Sequence, residues 1–269
     1  PAMYPKALAA GADIVCVELE DGVGPAHKDA ARANMLRNFA EVQADDGIER
    51  IVRVNGLRTP DGLADMAAIV GAESRPPALM LPKVKGPEEV AMVAETFDEL
   101  GVAMRLQIII ETNAGLEAAH EIAQASDRVD SLLFGGVDLA ADPRCANAWE
   151  PLLYARSRVV HAAAAAGIDA IDVPWLDLAD MDGMREEARR AADLGFTGKG
   201  AIHPRQIGAL NEIFTPSAGQ IAYARKVVAA FAETDSGLVV VDGKLIEKPV
   251  LRTMHRMLAI SERAARTVR

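Results

Sequence analysis

The chain has 269 residues, half of them hydrophobic, which is enough to bury one large core and argues against an intrinsically disordered chain. Its formal net charge of −10 argues against a nucleic-acid binder, which needs a basic face. No apolar run approaches the roughly 18 residues that cross a bilayer, and Pro1-Ala-Met-Tyr-Pro-Lys6 lacks the basic and apolar regions of a secretory signal. With Cys16 and Cys145 far apart and in no CxxC arrangement, the expectation is a cytoplasmic protein with no membrane partner, Cys16 lying in a buried strand.

In chain order, a short helix at 6–10 is followed by strands near 13–19, 50–55, 78–83, 105–111, 130–138, 169–174 and 198–203. Helices are predicted between them at 27–43, 61–71, 87–100, 114–125, 151–166 and 180–194. Pro87 with Glu88 and Glu89 opens one helix, and Gly101, Gly167 and Gly195 close three. Strands rich in Val, Ile and Leu alternating with Ala-rich helices predict an α/β fold, a (β/α)8 TIM barrel over 1–213. Closure needs eight strands and seven are visible, so the first is expected upstream of Pro1. Residues 214–269 read as an extension, a lid or oligomerisation arm. After a helix end and turn at Asn211-Glu-Ile-Phe-Thr-Pro216 come a helix at 222–233, a hairpin at 237–247 around Asp242-Gly243 and a helix at 249–266.

Several apolar runs end in a polar residue suited to chemistry. They are Ile14-Val-Cys-Val-Glu-Leu-Glu-Asp21, Ile51-Val-Arg-Val-Asn-Gly56, Leu79-Met-Leu-Pro-Lys83, Leu106-Gln-Ile-Ile-Ile-Glu111, Leu132-Leu-Phe-Gly-Gly-Val-Asp138 and Gly198-Lys-Gly-Ala-Ile-His203. The C-terminal ends of barrel strands open on one mouth, which puts Arg53, Glu111 and Asp138 within reach of one small ligand. A guanidinium and two carboxylates around a cavity are the parts of a divalent-metal site for an anionic substrate, and they make an enzyme the leading reading.

Each residue has a plainer alternative. Glu111 is a metal or substrate ligand or a satisfied rim residue, and the cost of burying a lone carboxylate favours the ligand. Asp138 follows Gly135 and Gly136, whose missing side chains let an oxyanion approach the backbone N–H groups. Arg53 serves the substrate or forms a salt bridge to Glu20 or Asp21. Those two acids hold metal-bound water or only fix Arg53 and Lys28. His203 stands alone, the other histidines show no metal-ligand spacing, and no Ser-His-Asp arrangement or P-loop is present. Cys145 and Trp149 read as loop and packing residues.

Together, Ala12-Asp13, Val17-Glu-Leu-Glu-Asp-Gly-Val23, Lys28, Ala31-Arg32, Val52-Arg-Val-Asn-Gly56, Ile110-Glu-Thr112, Phe134-Gly-Gly-Val-Asp-Leu139 and Gly195-Phe-Thr-Gly-Lys-Gly-Ala-Ile-His-Pro204 resemble the citrate lyase beta subunit-like branch of the HpcH/HpaI aldolase superfamily. So do Phe214-Thr-Pro-Ser217 and Asp242-Gly-Lys-Leu-Ile-Glu247. The resemblance implies a lyase that cleaves or forms a carbon–carbon bond beside a CoA thioester, such as malyl-CoA or citramalyl-CoA, releasing an oxo-acid. It implies Mg²⁺, or Mn²⁺ in its place, on Glu111 and Asp138, with Arg53 stabilising the enolate oxygen. Gly135, Gly136 and Val137 would cradle the oxo-acid carboxylate, and Lys6, Ile202, His203 and Pro204 would contact CoA. It further implies a homo-oligomer, a trimer or hexamer, in which the C-terminal part reaches a neighbour's site. Two departures stand out: the family's first strand does not precede Pro1, and Glu247 occupies the place of an Asp used as acid or base. Rival readings are a malyl-CoA thioesterase, a CoA-independent pyruvate aldolase and a non-catalytic subunit that binds CoA thioesters.

Overall fold

The computed structural model describes residues 3–41, 46–234 and 236–267, with side chains through 262. The chain forms two compact units, Pro1–Leu210 and Asn211–Arg269.

The first unit is built on seven strands: β1 (Ile14–Glu18), β2 (Glu49–Arg53), β3 (Ala78–Leu81), β4 (Arg105–Ile110), β5 (Val129–Phe134), β6 (Asp169–Asp172) and β7 (Gly198–Lys199). They pair in sequential order and all in parallel, as staves of a barrel do. Parallel strands covered on both faces read as continuous apolar runs. Accordingly Leu79, Leu81, Leu106, Ile108 and Ile110 are buried on the helix side, and Ile51, Met80 and Ile109 pack together on the concave side. Among the described residues β7 does not pair with β1 and no eighth strand joins the sheet, which is an open arc. Cys16 corrects one expectation. It lies on β1, at the edge of this arc, and is exposed.

The helices that cross between strands are α2 (Lys28–Ala40), α3 (Pro60–Gly71), α4 (Pro87–Glu99), α5 (Asn113–Glu117), α6 (Ala119–Ala123), α7 (Gly136–Ala141), α8 (Trp149–Ala166) and α9 (Met181–Leu194), after a short α1 (Tyr4–Leu8). Residues 42 and 43 of the helix expected over 27–43 lie outside the described residues. Thr59 and Asp180 cap α3 and α9 by accepting from Gly62 and Gly183. Gly101, Gly167 and Gly195 take positive φ where helices stop, as expected of a left-handed cap.

Four expectations of regular structure fail. The helix expected over 114–125 breaks at Ala118 into α5 and α6. The strand expected over 130–138 ends at Phe134, and Asp138 lies in the first turn of α7. Strand 169–174 stops at Asp172, and 198–203 shrinks to two residues, so His203 sits in the approach to α10 (Pro204–Phe214).

Behind β6 and β7 lies a buried charge cluster. Arg156 and Lys199 bond Asp172 at 3.1 and 2.5 Å, and Lys199 also bonds Glu187 at 2.8 Å. The Arg156 guanidinium is stacked between Phe134 and Trp149, 4.7 and 4.6 Å from their ring centres, so Trp149 is a packing residue.

The second unit holds α11 (Ala218–Ala232), a hairpin of β8 (Leu238–Val241) and β9 (Lys244–Glu247), and α12 (Lys248–Thr267). Ser217 and Gln220 make a capping box at the start of α11. Asp242 and Gly243, both at positive φ, form the two-residue hairpin turn. Val239, Val241 and Ile246 pack with Ala224, Val227 and Met254. The other hairpin face leaves Leu238, Val240 and Leu245 exposed, with Glu247 paired across from Leu238. Among the described residues, no helix is long and apolar enough to cross a membrane.

Candidate active site

The strand ends of β1 to β5 and the loops that follow them carry one connected set of charged groups. Side chains alternate across a strand, so with Val52 and Val54 buried, Arg53 points from the end of β2 to the concave side. It stands beside its register partner, Glu18 of β1, and its Nε donates to Glu18 Oε2 at 2.7 Å. Its Nη1 is 3.4 Å from Glu20 Oε2. The other Glu18 oxygen accepts from the backbone N–H of Glu20 at 2.5 Å, which ties the loop after β1 to the same pair.

That loop is held from below. Lys28 Nζ donates to the carbonyls of Leu19 and Glu20, each at 2.7 Å, and to Asn55 Oδ1 at 2.6 Å. Asn55 is in turn fixed by the buried Asp65, which Arg32 pairs at 2.8 Å. Lys28 therefore grips backbone oxygens and not the carboxylates of Glu20 or Asp21. Those bind Lys83, whose Nζ lies 2.5 Å from Glu20 Oε1 and 3.1 Å from Asp21 Oδ2. At Asp21 burial works to raise the pKa, and the Lys83 hydrogen bond and charge outweigh it, leaving the carboxyl below its ordinary value.

Glu111, just past β4, is only 4% exposed. Its Oε1 accepts from the backbone N–H of Lys83 at 2.7 Å. Burial first, then the negative charges of Asp138 and Glu20, push its carboxyl up to about 7. Space for Glu111 comes from Gly135: a Cβ there would lie 2.4 Å from Glu111 Cβ and 2.7 Å from Oε2. The Gly135-Gly136 pair was expected to admit an oxyanion to the backbone; the contact it makes here is with Glu111, while Gly136 sits against the Phe134 ring.

Asp138 is exposed on α7, and Gly136 is buried while Val137 is exposed beside it. Among the described residues no three His, Cys, Asp or Glu converge as a ready-made metal cage. The donor set nevertheless fits a hard divalent cation: one buried carboxylate, Glu111, repelled by Asp138 and Glu20 and packed against Gly135. Mg²⁺ is commonly held by one or two carboxylates and completes its shell with water and substrate oxygens.

Among the described residues, no hydrogen bond or ion pair joins the remaining candidates of the first unit to this set. Lys6 is exposed on α1. Ile202 is exposed, and the N–H groups of Ile202 and His203 donate to Gln206 Oε1, which fixes the turn before Pro204. His203 lines a small cavity with Leu178, Met181, Arg205 and Gln206. Glu247 belongs to the second unit. Sequence reasoning gave Glu18 and Lys83 no role, although Lys83 ends one of the apolar runs singled out. Glu18 was signalled by its i+2 spacing from Cys16 on a strand, whereas the left-handed backbone of Lys83, φ 56°, had no local signal.

Residues 1–204 match a family model described as HpcH/HpaI aldolase/citrate lyase. The chain is 31% identical over 268 residues to the citramalyl-CoA lyase, mitochondrial, of Rattus norvegicus, an alignment spanning 93% of this chain and 79% of that protein. It is 32% identical over 295 residues to the L-malyl-CoA/beta-methylmalyl-CoA lyase of Rhodobacter capsulatus, spanning 98% and 92%. The crystal structure of CitE from Mycobacterium tuberculosis, in complex with magnesium, acetoacetate and coenzyme A, matches with a TM-score of 0.79 at 32% identity, covering 97% of this chain and 94% of that one. The parallel staves, the mouth of paired charges and these full-length similarities converge, and the chain belongs to the HpcH/HpaI aldolase/citrate lyase family.

Proposed function

We propose that this carbon–carbon lyase cleaves a carboxylated 3-hydroxyacyl-CoA of the malyl-CoA or citramalyl-CoA kind into an oxo-acid and an acyl-CoA, with a divalent cation on Glu111 and Asp138. The observation that carries the reading is Glu111: a buried carboxylate with neighbouring negative charge and a side-chain-free glycine beside it. The names of the relatives support the substrate class. Mg²⁺, or Mn²⁺ in its place, would supply Lewis-acid polarisation of the substrate's hydroxyl and carboxylate oxygens.

The residues divide the work. Glu20 takes the hydroxyl proton; its buried Oε2 has no hydrogen-bond donor and faces the same mouth. As the carbon–carbon bond breaks, its electron pair passes into the thioester enolate, and Arg53 offsets the charge on that oxygen. Asp21 holds water at the rim. The backbone of Gly135, Gly136 and Val137 faces the oxo-acid carboxylate, while Lys6 and the Ile202-His203-Pro204 turn contact CoA.

Glu247 of a neighbouring copy protonates the enolate carbon, so the active form is a homo-oligomer. Two features support the exchange. The outward hairpin face bearing Glu247 is apolar and exposed, and residues 211–269 carry nine Lys and Arg against six Asp and Glu, whereas the remainder of the chain is strongly acidic.

The test is Glu111→Ala, assayed with malyl-, methylmalyl- and citramalyl-CoA by following oxo-acid against free CoA. Metal-dependent oxo-acid release is expected to disappear in the variant while the fold is retained. Free CoA without oxo-acid from the parent protein would replace the lyase reading with thioester hydrolysis, and full activity of Glu111→Ala in excess chelator would remove the metal assignment.

A further inference from the structure

Lys83 touches the mouth at both of its ends. It follows Pro82 at the end of β3 and adopts a left-handed backbone at φ 56°, a conformation that costs a residue with a Cβ and persists where surrounding contacts enforce it. The consequence is geometric. The peptide N–H reaches Glu111 Oε1 at 2.7 Å, while the side chain of the same residue crosses the mouth to Glu20 Oε1 at 2.5 Å and to both Asp21 oxygens at 3.1 and 3.2 Å. Burial works to lower its pKa, yet the bonds to Glu20 and Asp21 outweigh it and hold the ammonium above the ordinary lysine range.

The second cation, Arg53, is engaged less completely. Glu18 takes its Nε, and its Nη1 is 3.4 Å from Glu20 Oε2, an oxygen with no hydrogen-bond partner. Glu20 thus lies between two cations, bonded to Lys83 through one oxygen and only near Arg53 through the other. Loss of the Lys83 ammonium would leave Arg53 as the cation nearest to this carboxylate.

We infer that Lys83 is a positioning residue that keeps Arg53 available to the substrate by holding Glu20 and Asp21, and orients Glu111 through its backbone N–H. The inference rests on the function proposed above for Arg53 and Glu111. It carries a sign that ordinary damage does not share. Removing the ammonium takes a positive charge from an acidic mouth, so a divalent cation binds more tightly while turnover slows.

Three variants separate the two ends. Lys83→Met keeps length without charge. Lys83→Gly keeps the N–H and relaxes the left-handed backbone, and Lys83→Arg keeps the charge. Mn²⁺ binding is measured by calorimetry without substrate, and kcat and KM with the three CoA thioesters. For both Met and Gly variants the expected result is Mn²⁺ affinity raised about threefold or more and kcat lowered about tenfold or more, with KM moved less. Lys83→Arg is expected to return most of the rate.

A kcat within twofold of the parent in the Met and Gly variants would overturn the inference. So would Mn²⁺ affinity that stays level or falls with the rate, the pattern of structural damage. If the parent binds Mn²⁺ but cleaves none of the thioesters, the proposed substrate class fails by itself, and the direction of the Mn²⁺ shift still decides the role of Lys83. A parent that binds no Mn²⁺ removes both.

Discussion

Behind β6 and β7, Arg156 and Lys199 face Asp172 and Glu187, whereas at the mouth Glu18, Glu20 and Asp21 pair with Arg53 and Lys83, and Glu111 stands beside the further negative charge of Asp138. The first cluster is closed to water around Lys199 and Asp172, its charges balance, and the Arg156 plane is covered by two aromatic rings. The second has more carboxylate than cation and a buried acid pushed up to about 7, while each cluster holds one buried polar atom without a partner, Arg156 Nη1 in the first and Glu20 Oε2 in the second. Buried charge of both kinds costs solvation, so it persists where it is paired or where a ligand completes it. Balance is the pattern of a structural cluster, and the imbalance at the mouth supports the proposal that a ligand completes it.

The comparison is broken most severely from the structural side. Asp172→Ala leaves Lys199 and Arg156 without their shared carboxylate, and a loss of about 3–5 kcal/mol in unfolding free energy is expected, read by denaturant titration. A loss below about 1 kcal/mol would mean that the cluster relaxes to admit water and is not the closed network described here.

On the mouth side, Gly135→Ala inserts a Cβ into the space of Glu111. Overpacking of this kind costs about 1–3 kcal/mol, and the displaced carboxylate is expected to lower turnover about a hundredfold, in the range of losing one preorganised transition-state contact. Mn²⁺ titration and kinetics on the same preparation check it; unaltered turnover would show that Glu111 does not need its present position.

Arg53→Lys keeps the charge and loses the planar fork that serves Glu18 and the mouth together. The expected fall in kcat is at least about tenfold, or about 1.4 kcal/mol of barrier. An unchanged kcat with a raised KM would make Arg53 a substrate anchor instead.

Proton and metal compete for Glu111, so metal affinity should rise with pH up to about 7 and level off above it. The slope below that point is about tenfold per unit for one displaced proton, and calorimetry across pH 5 to 8 reads it. In the metal-free protein the sign for stability is the reverse. Between the ordinary glutamate range and about 7 the folded chain binds a proton that the unfolded chain has released, so stability falls as pH rises through that window.

The smallest effect sharpens the contrast from outside both clusters. Lys226 pairs with Asp242 at 3.1 Å on the surface of the second unit, with both side chains more than half exposed. Lys226→Ala should change unfolding free energy by no more than about 0.5 kcal/mol. A larger loss would show that surface pairs in this unit do more than such pairs ordinarily do.

The sequence by itself determined the order of strands and helices, because nearly every β-run is apolar enough to be buried and the intervening stretches are helical, three of them stopping at Gly101, Gly167 and Gly195. It also marked Arg53, Glu111 and Asp138, since polar residues that end apolar runs converge at a barrel mouth. Local pattern did not reveal that Asp138 begins a helix, because the apolar run from Leu132 through Leu139 continues past the turn at Gly135 without a change in hydropathy. The tertiary structure alone decided which carboxylate meets which cation. Glu18, and not Asp21, takes Arg53 because parallel register sets those two side by side, and Lys83 joins Glu20, Asp21 and Glu111 because a left-handed backbone turns both its ends into one mouth. These are contacts between residues up to 63 positions apart, fixed by the order and register of the strands and therefore invisible to any short window of sequence.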